Sequence, residues 1–178
     1  MTKNIEYEGR ILDIDVGAIQ KSLKKLSSHP PQKFNFRRYI FDIHPATRGK
    51  WIRLRTDGKK ATLTLKSINS QEIDGTEEWE VDVSDFDTTY TVLARSGLNC
   101  RSYQQNNRIS YALDEGEVSI DFWPQIPPYI EIESTSTDNV EKIAKKLGFG
   151  KNQITGMNTE KIYEAYGIDI SEIKELSF

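Results

Sequence analysis

From Ile5 onward the chain reads apolar, charged, apolar, charged: Glu6, Glu8 and Arg10 fall at every second position among Ile5, Tyr7, Gly9 and Ile11. Side chains of a β-strand point alternately to opposite faces, so the three charges leave one face together. The pattern recurs along the chain. Arg53 and Arg55 alternate with Ile52 and Leu54, and Thr64 and Lys66 with Leu63 and Leu65. Glu78, Glu80 and Asp82 alternate with Trp79, Val81 and Val83. Ser119 and Asp121 alternate with Val118, Ile120 and Phe122, and Glu131 and Glu133 with Ile130 and Ile132. This periodicity predicts strands over 5–14, 34–43, 51–55, 61–66, 78–83, 101–113, 117–123 and 129–134. Asp57-Gly58 and Asp114-Glu115-Gly116 read as hairpin turns between neighbouring strands.

Helical spacing lies between and after the strands. Val16, Ile19, Leu23 and Leu26 recur three to four apart and predict a helix over 16–26. A second helix is expected over 86–96, before Gly97, and a third from a capping box at Asp138–Glu141 to Leu147, before Gly148. A fourth is expected over 159–166, ending at Gly167. Eight strands, four helices and mostly hairpin connections predict an α+β fold with a mainly antiparallel sheet. With 178 residues the chain is expected to be a single domain over 1–178.

Taken one at a time, the strands fit a plain sheet with one wet face. Two features favour another arrangement. The charged positions are almost all Glu, Asp, Arg and Lys, where a wet face would mix in Ser, Thr, Asn and Gln. Eight antiparallel strands can also close into a barrel, which removes exposed edges. With the apolar side outward under helices, the charged side would line the interior. An interior carrying both signs is costly unless something fills it. A polyanion with divalent cations would fill it: Arg and Lys hold phosphate oxygens, and carboxylates hold Mg²⁺ or Mn²⁺.

Composition narrows the choice of partner. Charged residues are 29% of the chain, hydrophobic residues 37%, and the formal charge is −3 from 24 basic and 27 acidic residues. That near-balance argues against nucleic acid or an anionic membrane engaged through bulk charge. A single cysteine, Cys100, excludes an internal disulfide, and with only His29 and His44 it makes no His/Cys zinc site. No signal-peptide or membrane-span run appears, so a cytoplasmic protein is expected. Gly148-Phe149-Gly150-Lys151 lacks the spacing of a phosphate loop and fits a helix C-cap better.

The charged strands, in order, resemble the CYTH superfamily, which includes class IV adenylate cyclases, thiamine triphosphatases and related tripolyphosphatases. Glu6-x-Glu8-x-Arg10 resembles its ExExK signature. Trp51–Arg55 ("WIRLR") resembles its paired-arginine strand, Thr62–Lys66 ("TLTLK") its TxK strand, and "EEWEVDVSDF" its acidic strand. "VSIDFWP", "YIEIES" and "EKIYEAY" resemble its late Asp strand, its closing ExE strand and its C-terminal Lys-x-Tyr segment. The similarity runs from residue 5 to about residue 166, and the ordered set is more specific than any one motif.

The resemblance implies a closed eight-stranded antiparallel β-barrel, a triphosphate tunnel, with flanking helices. It implies phosphate contacts from Arg10, Arg53, Arg55, Lys66 and Arg108, with Arg38 and Lys161 as further candidates. Glu6, Glu8, Asp121, Glu131 and Glu133 would bind Mg²⁺ or Mn²⁺, and Glu78 and Glu80 would orient the basic residues. Lys66 and Arg10 are the catalytic candidates. The signature ends in Lys where this chain has Arg10, and Arg does not readily give up a proton. If that lysine is a general base in relatives, Arg10 replaces it poorly.

The expected function is metal-dependent hydrolysis of a triphosphate, with a class IV cyclase reaction on ATP as the close alternative and a non-catalytic phosphate sensor as the next. The expected partner is a small-molecule triphosphate, without nucleic acid or membrane; a homodimer is a further expectation.

Overall fold

The structure, a computed structural model, describes residues 4–47, 49–68 and 76–178, those at 4–6 and 76 by backbone only. Eight strands form one antiparallel sheet: β1 (Asn4–Ile11), β2 (Gln32–Asp42), β3 (Lys50–Thr56), β4 (Ala61–Ile68), β5 (Thr76–Val83), β6 (Cys100–Leu113), β7 (Gly116–Phe122) and β8 (Tyr129–Ser134). Four α-helices accompany it: α1 (Val16–Leu26), α2 (Phe86–Arg95), α3 (Thr137–Lys146) and α4 (Thr159–Ala165). The fold is α+β, as the alternation predicts.

The sheet runs β2-β3-β4-β5-β1-β8-β7-β6 and is strongly curled, with a barrel-like form. β2 also pairs with β6, from Gln32 opposite Ser110 to Phe41 opposite Cys100. The seam between β1 and β5 is short, from Asn4 opposite Glu78 to Glu6 opposite Thr76. From Tyr7 to Ile11 β1 pairs with β8. At Arg10 its other edge belongs to the C-terminal segment: Arg10 N–H donates to Thr155 O at 2.8 Å, and Thr155 N–H donates back at 2.9 Å.

The outer face carries the apolar half of the alternation. Ile11, Tyr111, Val118, Ile120, Ile130 and Ile132 are buried under Ile19 and Leu23 of α1 and Val140 and Ile143 of α3. Gly9 belongs to this face. A Cβ there would lie 2.6 Å from Ile154 Cγ2 and 2.8 Å from Val140 Cγ1, so the glycine lets α3 and its following loop sit down on β1. A second cluster buries Phe41 and Leu54 against Phe86 of α2. The third is different: α4 and the last residues pack Ile162, Tyr163 and Leu176 against Trp123 and Tyr129, which also line the interior.

Most element ends fall within a few residues of expectation, and three findings differ. The N-cap of α3 is Ser136, whose hydroxyl accepts from Asn139 N–H at 3.3 Å. The helix therefore starts before the expected Asp138 cap, and Asp138 lies in its first turn, where an acid suits the helix dipole. The first strand ends at Ile11, not 14, because Asp15 turns to cap α1. A short ninth strand, β9 (Glu175–Leu176), adds in parallel to β6 at Tyr103 and Gln104. The Gly148 segment is a helix C-cap, as expected: Phe149 N–H reaches Ala144 O and Gly148 N–H reaches Lys145 O, both at 3.0 Å, with Gly148 at φ +92°. No helix among the described residues is long and apolar enough to cross a membrane.

Candidate functional site

The inner face of the curled sheet encloses a cavity of about 490 Å³. Strand parity delivers its charges. Residues 8 and 10 of β1, 38 of β2, 53 and 55 of β3, 66 of β4, 78 and 80 of β5, 108 of β6, and 131 and 133 of β8 all line it. Ten expected residues are thus brought to one place: Glu8, Arg10, Arg38, Arg53, Arg55, Lys66, Arg108, Glu131, Glu133 and, immediately behind Arg108, Asp121. The side chain of Glu6 lies outside the described residues.

One part of the wall is a tight network of opposite charges. Arg10 Nε donates to Glu131 Oε2 at 2.8 Å, and its Nη2 lies 2.7 Å from the same oxygen and 2.9 Å from Glu8 Oε1. Arg10 Nη1 donates to the Met157 carbonyl at 2.9 Å. Arg108 holds Asp121 with two hydrogen bonds, Nε at 2.9 Å and Nη2 at 2.6 Å, and reaches Glu131 Oε1 at 2.7 Å. These contacts join facing positions of adjacent strands, Arg10 with Glu131 and Arg108 with Asp121.

Burial alone would lower both guanidinium pKa values, but the carboxylates overcome it and hold Arg10 and Arg108 above their ordinary values. Burial alone would likewise raise Glu131, but Arg10 and Arg108 bring its carboxyl far below the usual range. Asp121, fully buried, goes the other way: burial outweighs Arg108 and raises it.

The wall made by β2 and β3 has excess positive charge. Arg38 donates to the Asn106 side-chain oxygen and sits 4.6 Å above the Trp123 ring; its Nε is buried with no hydrogen-bond partner. Arg55 sits 4.7 Å above the Phe36 ring. Neither makes an ion pair among the described residues. Burial and the neighbouring arginines push both down, Arg55 to about 9. A guanidinium keeps its proton at neutral pH, so this stress is stored as uncompensated charge. Arg53 lies between the two walls, 3.3 Å from Glu80 and 3.8 Å from Glu78. Glu80 is steadied by the Thr64 hydroxyl at 2.6 Å, and Glu78 pairs with Lys66. Glu78 and Glu80 stand where they can orient the bases.

Lys161 departs from expectation. It does not line the cavity, and its Nζ pairs with Glu164 at 2.6 Å along the exposed side of α4. The neighbouring Ile162 and Tyr163 take the buried face of that helix, so Lys161 is turned away. The expected metal ligands also stand differently. Glu8 and both oxygens of Glu131 are engaged by arginine, and Asp121 is held by Arg108 and Asn106. Among the described residues no three His, Cys, Asp or Glu side chains gather to hold a metal ion.

Sequence reasoning missed Asn106, which is 1% exposed and joins the two walls. Its oxygen accepts from Arg38, and its amide donates to Asp121 at 2.8 Å. Its only sequence signal is strand parity with Arg108. Phe36 and Trp123, which carry the two stressed guanidiniums, gave no charge signal.

Fold and site together define an α+β protein with a barrel-like antiparallel sheet and a charge-lined, arginine-rich interior. The CYTH domain profile matches residues 4–165, and the chain belongs to that family. No curated protein matches it in sequence. Among solved structures it is similar to a conserved protein from Pyrococcus furiosus, at 21% identity and TM-score 0.72, over 86% of this chain and 97% of that one. An adenylate cyclase candidate from Vibrio parahaemolyticus is 14% identical with TM-score 0.73, over 92% and 99%. An adenylyl cyclase candidate from Hippeastrum, whose dominant activity is that of a triphosphatase, is 17% identical with TM-score 0.65, over 97% and 100%. At these identities the likeness is one of fold.

Proposed function

We propose that this protein hydrolyses a small-molecule triphosphate inside a closed tunnel formed by the curled sheet. The observation that carries this reading is the pair Arg38, buried, and Arg55, half-buried, on the cavity wall beside Arg53, without a carboxylate partner among the described residues. A compact polyanion relieves that stress, and guanidinium forks match phosphate oxygens two at a time. Closure is supported by the β2–β6 and β1–β5 pairings.

In the reaction, a water oxygen attacks the terminal phosphorus and the bridging P–O bond breaks. The shorter phosphate chain leaves, and the proton of the attacking water passes to an oxygen of the phosphate it attacks. Such transfer relies chiefly on positioning and charge neutralisation. Arg38, Arg53 and Arg55 hold the chain. Lys66, an ammonium paired with Glu78, can give a proton to the departing phosphate oxygen and regain one from solvent, which arginines do not readily do.

Glu8, Asp121 and Glu131 as arranged do not fit a resident divalent ion, because Arg10 and Arg108 occupy them. Mg²⁺ or Mn²⁺ is therefore assigned to the triphosphate as its counter-ion, where it neutralises phosphate charge. The likeness to the Hippeastrum protein supports hydrolysis as the reaction.

The test is incubation of pure protein with tripolyphosphate, thiamine triphosphate and ATP, each with Mg²⁺ or Mn²⁺, with products separated by chromatography. Orthophosphate is expected. Cyclic AMP with pyrophosphate would make the protein a cyclase, and tight binding without products would make it a sensor.

A further inference from the structure

Arg10 was expected to touch phosphate, but its guanidinium already makes four close contacts with protein oxygens. Nε and Nη2 are given to Glu131, Nη2 also to Glu8, and Nη1 to the Met157 carbonyl, all within 2.7–2.9 Å. The residue is 5% exposed. A guanidinium offers five N–H donors in a fixed planar fork, and here each edge of the fork meets a protein oxygen. No bidentate edge is left for a ligand. Arg55 and Arg38 differ in this respect, since neither has a carboxylate partner among the described residues.

The three groups around Arg10 are two carboxylates and one carbonyl, all hard oxygen donors. Such a set suits Mg²⁺ or Mn²⁺. It comes from three separate places, Glu8 within β1, the middle of β8 and the loop before α4, and Arg10 is the group that holds them together. The Arg10–Thr155 backbone bridge fixes the same loop to β1.

We propose that Arg10 is a positioning residue, an internal cation that takes the place of a divalent ion among Glu8, Glu131 and the Met157 carbonyl. The free protein then has no divalent site on this wall, and removing the Arg10 side chain creates one. The inference concerns the protein without substrate and does not depend on which triphosphate it takes.

The experiment measures Mn²⁺ binding to the full chain in phosphate-free buffer, by loss of the electron paramagnetic resonance signal of free Mn²⁺. Wild type should leave submillimolar Mn²⁺ free. Arg10→Ala should bind one Mn²⁺ per chain at least tenfold more tightly, and Mn²⁺ should raise its Tm, as any ligand of the native state does. Arg10→Lys keeps a cation in place and should stay close to wild type.

Stoichiometric Mn²⁺ binding by wild type at micromolar concentration would overturn the proposal. So would a folded Arg10→Ala that binds no more than wild type. If Arg10→Ala does not fold in metal-free buffer, added Mn²⁺ should restore it, because the ion replaces the missing charge; failure to restore it also overturns the proposal. Binding of tripolyphosphate to wild type is followed separately. Its absence would remove the triphosphate reading and leave the Mn²⁺ comparison intact.

Discussion

The two walls of the cavity use the same residue type for opposite ends. On β1, β6, β7 and β8, Arg10 and Arg108 are locked to Glu8, Asp121 and Glu131, and their guanidinium pKa values are raised. On β2 and β3, Arg38 and Arg55 rest on aromatic rings, have no carboxylate partner among the described residues, and are pushed down. The six expected bases that line the cavity therefore do not make six equal phosphate contacts. The paired wall contributes order and the unpaired wall contributes attraction. Burial is similar on both sides, so the number of facing carboxylates makes the difference.

The comparison breaks most visibly at Arg108. Arg108→Ala leaves Asp121, which has no exposed surface, with a buried charge, one hydrogen bond from Asn106 among the described residues and the more distant Arg38. Removing one partner of a buried ion pair costs about 3–5 kcal/mol. Urea unfolding should show a loss of that order. A loss below about 1 kcal/mol would mean that the paired wall does not hold the fold together.

Arg55→Ala and Arg38→Ala should behave in the reverse way. Each removes a repelling charge, so stability should hold or rise. Tripolyphosphate affinity should fall about 10–100-fold, the worth of one or two charge-assisted hydrogen bonds. Calorimetric titration against tripolyphosphate and against orthophosphate checks this. Equal losses for both ligands, or a stability loss like that of Arg108→Ala, would erase the distinction between the walls.

The division between walls was not legible in the sequence, although the charged face was. A period of two needs no knowledge of neighbours, so Glu8, Arg10, Arg53, Arg55, Lys66, Glu131 and Glu133 were found from alternation alone. The helix over 16–26 was equally legible, because Ile19 and Leu23 repeat at helical spacing and both are buried. Pairing is another matter. That Arg10 meets Glu131 depends on the register between β1 and β8, residues far apart in sequence. Asn106 sits in a polar run, Gln104-Gln105-Asn106-Asn107, where only the curl of the sheet shows which side chain reaches Asp121. Lys161 failed for the complementary reason. A short helix has several faces, and the packing of Ile162 and Tyr163 chose which one turned inward. β9 has two residues, too few to show any period.

Acid titration offers the smallest and most direct comparison, within the paired wall itself. Glu131 is displaced below its ordinary 4.5 by Arg10 and Arg108, which overcome its burial. A carboxyl with a depressed folded value stabilises the protein above its unfolded value, and that contribution is lost as pH falls through the folded value. Asp121 has the opposite sign. Its raised value means that the folded state takes up a proton more readily than the unfolded chain, so acid relieves part of its burial cost. Below 4.5 the Glu131 contribution should therefore steepen the loss of stability by up to about 1.4 kcal/mol per pH unit, the limit for one proton. Glu131→Gln, measured by urea midpoints from pH 6 downward, should start less stable and fall less steeply below that point. Parallel profiles for the two proteins would mean that Arg10 and Arg108 do not hold Glu131 charged, and the paired wall would lose its centre.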